Sequence, residues 1–242
     1  ILGDSHPNTL SSMSNLASLY KNQGKYEEAK ELFKECLEKE RQIYGDYHLN
    51  TLTSISNLAS LYDNQGKYNK SEELYRECLE KSRQIYGDSH PDTISSIKSL
   101  TLLYSNQGNF EQSEELFKEC LEKERQIYGD YHLNTLTSIS NLASLYDNQG
   151  KYNKSEELYR ECLEKSRQIY GDSHPHTLTS MSNLASLHNK QGRYEESERL
   201  YKECLEKMKV ILGENHPDTI IVINNLASLY YNQGRYEESE IL

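Results

Sequence analysis

Residues 16–26 read Leu16-Ala17-Ser18-Leu19-Tyr20-Lys21-Asn22-Gln23-Gly24-Lys25-Tyr26, and the stretch returns with few changes at 58–68, 100–110, 142–152, 184–194 and 226–236. A fixed step of 42 residues is the mark of a stacked repeat architecture, in which each unit buries its apolar face against its neighbours. The glycines obey the same step. One series runs Gly24, Gly66, Gly108, Gly150, Gly192, Gly234 and another Gly3, Gly45, Gly87, Gly129, Gly171, Gly213, which together hold all 12 glycines. Six histidines (His6, His48, His90, His132, His174, His216) and all five cysteines (Cys36, Cys78, Cys120, Cys162, Cys204) follow it too. A longer period lies above this one: residues 31–91 are identical to 115–175, so a two-repeat unit of 84 residues has been duplicated.

Within one repeat, Leu10, Met13, Leu16, Ala17, Leu19 and Tyr20 keep the three-to-four spacing of one helical face, which predicts a helix A over about 8–23. After the turn at 22–25, the residues Ala29, Leu32, Phe33, Cys36, Leu37, Ile43 and Tyr44 keep that spacing and predict a helix B to about residue 44. Gly24 and Gly45 each follow a helical run and suit the left-handed residue that closes a helix, with Arg41 near the negative end of helix B. Pro7 suits the first turn of helix A, where an N–H has no partner anyway, and repeats two and four carry Leu49 and Leu133 there instead.

Composition alone would suit a disordered chain: only 35% of residues are hydrophobic, 27% are charged and mean hydropathy is −0.87. The order of the apolar residues argues for a folded one, and 242 residues suffice for a sizeable core. A net charge of −11 and pI near 5.3 oppose nucleic acid and anionic membrane as partners, because both need a basic stripe. No apolar run approaches the ~20 residues of a membrane span. The start, Ile1-Leu2-Gly3-Asp4, has neither the basic nor the apolar stretch of a signal peptide, and it reads like the middle of a longer protein.

The pattern Leu16-Ala17, Tyr20, Gly24, Tyr26, Ala29, Phe33 and Cys36 resembles the tetratricopeptide repeat over essentially the whole chain, and the 42-residue length resembles the kinesin light chain subclass. Departures are visible. Arg41 and its equivalents stand where shorter repeats of this family usually have proline, so helix B should run on by about two turns. Ser71, Ser113, Ser155, Ser197 and Ser239 replace the alanine seen at Ala29, and cysteine replaces alanine at Cys36. The third repeat reads Lys98-Ser99-Leu100-Thr101 where most others read Ser-Asn-Leu-Ala, and the double asparagine survives only at Asn224-Asn225.

The resemblance implies an all-α, right-handed α-solenoid of tandem helix–turn–helix repeats at about 5–46, 47–88, 89–130, 131–172, 173–214 and 215–242. It implies a single array over 1–242 that is a fragment of a longer one. Helix A would line the concave side and helix B the convex side. The groove residues expected to meet a ligand are then Ser14 and Asn22, Ser56 and Asn64, Lys98 and Asn106, Ser140 and Asn148, Ser182 and Lys190, Asn224 and Asn232. The face is short-chained and nearly neutral: Lys21, Lys98 and Lys190 stand against Asp63, Asp92, Asp147 and Asp218. The acidity belongs mainly to helix B and the turns.

Asn22, Asn64, Asn106, Asn148 and Asn232 suit either the backbone of an extended peptide or local groups at a helix end. Asn15, Asn57, Asn141, Asn183 and Asn225 are expected to tie one repeat to the next. The six periodic histidines lie at equivalent points of stacked repeats, where packed helices stand roughly 8–10 Å apart, so they do not converge on a metal. The Gly-Asp-Ser-His-Pro turn reads as a helix stop followed by a helix start. The cysteines fall on an apolar helix B position, too far apart for disulfides, and are expected buried and reduced, which favours a cytoplasmic setting. Tyr230-Tyr231 is the one tyrosine doublet that suits a ligand-facing role. With no phosphate-binding glycine loop, metal-ligand cluster or nucleophile–base pair, neither an enzyme nor a cofactor is expected.

The expected function is a protein–protein interaction scaffold that binds a peptide or protein segment along the concave helix A face. The alternative is a structural spacer or self-assembling array without a dedicated ligand. The chain is expected to start in the tail of a helix B at Ile1-Leu2-Gly3 and to stop within another at Leu242. Ile223, Leu226, Leu229 and Tyr230 would then stay uncovered and support self-association through uncapped ends.

Overall fold

A computed structural model describes residue 3 and residues 5–241. Ile1, Leu2 and Leu242, on which the expectations about the two ends rested, lie outside the described residues. Among the described residues there are twelve α-helices and no strand. Helices of 16 residues take the A place: α1 (Pro7–Asn22), α3 (Leu49–Asn64), α5 (Pro91–Asn106), α7 (Leu133–Asn148), α9 (Pro175–Lys190) and α11 (Pro217–Asn232). Helices of 19 residues take the B place: α2 (Tyr26–Tyr44), α4 (Tyr68–Tyr86), α6 (Phe110–Tyr128), α8 (Tyr152–Tyr170) and α10 (Tyr194–Leu212). The last, α12, spans Tyr236–Glu240. The fold is therefore all-α, in tandem helix–turn–helix repeats.

The two glycine series do different work. At the A-to-B turn Gly24 has φ +75, and the Lys25 N–H returns to Tyr20 O at 2.9 Å, the six-residue closure of a Schellman-type stop. At the B-to-A turn Gly45 has φ 84 and ψ 173, which corrects the expectation of a left-handed helical residue there. This is the mirror of extended backbone, open in practice to glycine alone, and it sends the chain outward instead of curling it back.

The next helix then starts on a histidine cap. His48 Nδ1 accepts the Asn50 N–H at 3.2 Å, its ring stacks on Tyr44 at 4.4 Å, and Thr51 Oγ1 donates to Gly45 O at 2.8 Å. The same set recurs at His90, His132 and His174, so the stop-then-start reading of this turn holds.

The chain forms two compact units, 1–123 and 124–242, with the boundary inside α6. In the first, Phe33, Leu37, Ile55, Leu58 and Leu61 form one core cluster, and Ile94, Ile97, Leu100 and Leu103 form another with Cys120. In the second, Leu178, Met181, Tyr201, Met208, Leu226 and Leu229 share one core. Leu226, Leu229 and Tyr230 are thus buried and Ile223 is partly buried, contrary to the expectation of an uncovered last A helix. The reason is directional: the apolar stripe of α11 faces the preceding helix α10, not a following repeat. The large apolar residues that α11 exposes are Ile220, Ile221 and Tyr231.

Buried polar contacts join helix B to helix A. Cysteine thiols of helix B donate to helix A carbonyls, Cys36 to Leu10 at 3.2 Å and Cys204 to Leu178 at 3.3 Å. All five cysteines are buried and unbridged. The serines in the alanine place do likewise where geometry permits, Ser197 to Ala185 O at 2.7 Å and Ser113 to Thr101 O at 3.1 Å.

On the B helices, Arg41 meets Glu77 at 2.9 Å and Arg83 meets Glu119 at 2.7 Å in the first unit. Arg125 meets Glu161 at 2.9 Å and Arg167 meets Glu203 at 3.3 Å in the second. Each arginine also reaches an aspartate of its own turn, as Arg41 does Asp46. Exposed pairs contribute only ~0.2–1 kcal/mol each, so these links set register more than they add stability.

Candidate functional site

The A helices of each unit lie beside one another, and their polar side chains form a ladder with rungs one repeat apart. In the first unit Asn57 donates to Ser14 Oγ at 3.3 Å, Lys21 to Ser60 Oγ at 3.1 Å and Asn106 to Asp63 Oδ2 at 3.4 Å. In the second, Asn183 donates to Ser140 Oγ at 3.2 Å, Lys190 to Asp147 Oδ2 at 2.7 Å and Asn232 to Asn189 Oδ1 at 3.4 Å. Asn57 and Asn183 do tie one repeat to the next, as their series was expected to. Asn106 and Asn232 reach back to the previous A helix, which neither of the two readings of their series foresaw.

The expected ligand-facing residues differ in how far they reach solvent. Asn22, Asn64, Asn106, Asn148, Lys190, Asn224 and Asn232 are exposed, whereas Ser14, Ser56, Lys98 and Ser140 are half-buried. Ser182 is buried, which corrects its placement among the residues expected to meet a ligand. Its register is the seam between successive A helices, where Asn57 leans over Ser14 and Asn183 over Ser140. Large apolar groups also open on this face, with Leu102 50%, Ile221 54% and Tyr231 63% exposed. Tyr231 meets Tyr236 edge-on at 5.2 Å, so the doublet places one ring outward and one, Tyr230, in the core.

Tyrosines from helix B supply the floor. Burial pushes the Tyr75, Tyr159 and Tyr201 hydroxyls up to about 12, with Ser60, Ser144 and Ser186 respectively pulling the other way. Burial also raises the Asp63 carboxyl, although Asn106 and Lys21 pull it down. Beside the face, Glu156 is gripped by Arg193 at 2.5 Å and by Arg160 at 2.8 Å. These partners outweigh its burial and hold its carboxyl at about 2.

His188 is buried with Nδ1 unpartnered, and burial, then Arg193, lowers its pKa. His176 meets Ser166 Oγ at 3.1 Å. Among the described residues no three His, Cys, Asp or Glu side chains gather as metal ligands, and no helix is long and apolar enough to cross a membrane. The A-helix face of each unit offers hydroxyl, amide, carboxylate and a few apolar groups spread over several helices.

The tetratricopeptide repeat family model matches residues 8–84, 55–123, 102–168, 140–209 and 177–242. No curated protein sequence matches. Among solved structures, a kinesin-light-chain-like protein of Podospora anserina with nearly identical TPR-like repeats superposes with a TM-score of 0.72. It is 23% identical, over 84% of this chain and 97% of that one. BtubC (BKLC) from P. vanneervenii gives a TM-score of 0.74 at 21% identity, over 89% of this chain and 87% of that one. NprR in complex with its cognate peptide NprX gives 0.60 at 18% identity, over 95% and 62%. At such identities the likeness concerns the fold.

Proposed function

The chain belongs to the tetratricopeptide repeat family, and on that premise we propose that it is a scaffold binding a peptide or protein segment along the faces of its A helices. The observation that carries this reading is where the repeats differ. The position occupied by Lys21, Asp63, Ser105, Asp147, Asn189 and Tyr231 changes at almost every step, while the neighbouring core position is Ala17, Ala59, Ala143, Ala185 and Ala227 in all repeats but the third. Variation on an accessible face over a constant core is the pattern of a surface that selects ligands. NprR, of like fold, is known in complex with a peptide, which supports the reading. A single net hydrogen bond contributes only ~0.5–1.5 kcal/mol, so useful affinity requires several repeats acting together.

The identity of residues 31–91 with 115–175 favours a second reading, a spacer without a dedicated ligand. Selection from a random peptide display library on the intact chain separates the two. The scaffold reading expects binders that are lost with Asn64→Arg and Asn148→Arg, both on exposed helix A positions. Binders that persist there but are lost with changes on the B helices would move the site to the outer face. A library that yields no binders leaves the spacer.

A further inference from the structure

Among the A helices, α5 departs from its siblings on the open face while keeping its core. Leu102 is 50% exposed where the other repeats carry Ser18, Ser60, Ser144, Ser186 and Ser228. Ile97, Leu100 and Leu103 stay buried, and Thr101, in the alanine place, is settled by donating to Ile97 O at 2.6 Å. One turn after Leu102, Asn106 crosses to α3 and donates to Asp63 Oδ2 at 3.4 Å. Leu102 and Asn106 lie on one helical face, so an aliphatic surface and a carboxylate are neighbours in the first unit.

The second unit carries the same carboxylate in the same local sequence, because residues 31–91 equal 115–175 and Asp147 is therefore the twin of Asp63. There Lys190 takes the register of Asn106 and sets its ammonium 2.7 Å from Asp147 Oδ2. The chain thus displays, in one copy, the chemistry that this carboxylate accepts. In the other copy, among the described residues, no lysine or arginine is ion-paired with Asp63. Lys21 donates to Ser60 Oγ at 3.1 Å and acts on Asp63 only at longer range, and Lys98 has a contact of its own.

We propose that this face of the first unit selects an extended segment bearing an aliphatic residue two positions from a lysine or arginine, the aliphatic side chain on Leu102 and the cation on Asp63. In extended backbone residues i and i+2 share a side and stand about 6.6 Å apart, close to the ~6 Å that α5 rises over the four residues from Leu102 to Asn106. The long-range field of a chain with net charge −11, carried mainly by helix B and the turns, favours the approach of such a cationic segment. The inference rests on the groove reading above and adds the ligand's chemistry to it.

The test uses the intact chain and three nonapeptide display pools, fixed at Leu-x-Lys, Leu-x-Glu or Ser-x-Lys and random elsewhere. Enrichment of the first pool should exceed the other two by about tenfold, the equivalent of ~1.4 kcal/mol. Leu102→Ser, which installs the residue its five siblings carry, should erase the preference for leucine without changing the melting temperature. Asp63→Asn should erase the preference for lysine over glutamate, and so should Asn106→Lys, which rebuilds the Lys190 arrangement. Equal enrichment of the pools, or preferences that survive all three variants, would overturn the inference. If the enriched peptides are still lost with Asn64→Arg in that case, the groove reading stands alone; no enrichment from any pool removes both.

Discussion

Tyr230 meets Glu198 through its hydroxyl at 3.2 Å, and one repeat earlier His188 holds the equivalent place, buried, with Nδ1 unpartnered. The exchange leaves a polar nitrogen in the core and a group that resists protonation when folded. Its pKa lies below the ordinary 6.5, chiefly through burial and then Arg193, so the folded state binds fewer protons than the unfolded one. Stability is therefore full above pH 6.5 and falls as pH drops through that value toward the lower folded one. His188→Tyr should raise stability by about 1–2 kcal/mol and flatten the pH dependence between about 7 and 5. Thermal melts at both pH values check this, and a lower melting temperature at the higher pH would count against it.

Glu156 and Glu198 behave in the opposite sense. Burial would raise both, yet Arg193 with Arg160, and Arg235 with Lys202, hold them at about 2. Their contribution is complete above the ordinary carboxylate value of 4.5 and disappears as pH falls toward 2. Glu156→Gln should cost about 1–2 kcal/mol near neutral pH and almost nothing below about pH 2. Urea titrations at the two pH values give the comparison; an equal loss at both would show that packing, not charge, holds this contact.

Ser71 and Ser155 are fully buried with hydroxyls that lack a partner, whereas Ser197, at the same position, donates to Ala185 O. Ala29 shows that the site accepts alanine. Ser71→Ala and Ser155→Ala should each stabilise by about 1 kcal/mol, and Ser197→Ala should be neutral or destabilising by a similar amount. Denaturant midpoints at constant m-value decide it.

Ser182 and Asn148 test the depth of the helix A face. Arginine at buried Ser182 should cost about 2–4 kcal/mol, while Asn148→Arg should leave the melting temperature unchanged, since that residue is exposed. Equal tolerance of both would mean that the seam between A helices is more open than its asparagine–serine contacts indicate.

The helix pairs were legible in the sequence because glycine and apolar spacing recur six times, and recurrence averages out local ambiguity. What the letters hid were differences that depend on what comes next in space. Gly24 and Gly45 both have positive φ, but after Gly24 the Lys25 N–H turns back to Tyr20 O, whereas Gly45, at ψ 173, leads the chain away. Thr51, Thr93, Thr135 and Thr177 also recur every 42 residues, and their bond to a carbonyl six residues earlier becomes visible only once the path of the turn is known. The choice of the A-helix face came from the family resemblance and not from spacing. Its depth was not legible, because Ser56 and Ser182 carry the same letter, yet the first is half-buried and the second buried.

The thiol in each helix B has a use that does not depend on what the chain binds. Each cysteine is buried, and burial pushes Cys36 up to about 11 and Cys204 up to about 12, so a water-borne alkylating reagent finds neither access nor thiolate while its helix pair is closed. Labelling then proceeds only through transient local opening. Five thiols placed at 42-residue intervals make the unmodified protein a set of five clocks, and their separate rates would time the breathing of the array repeat by repeat.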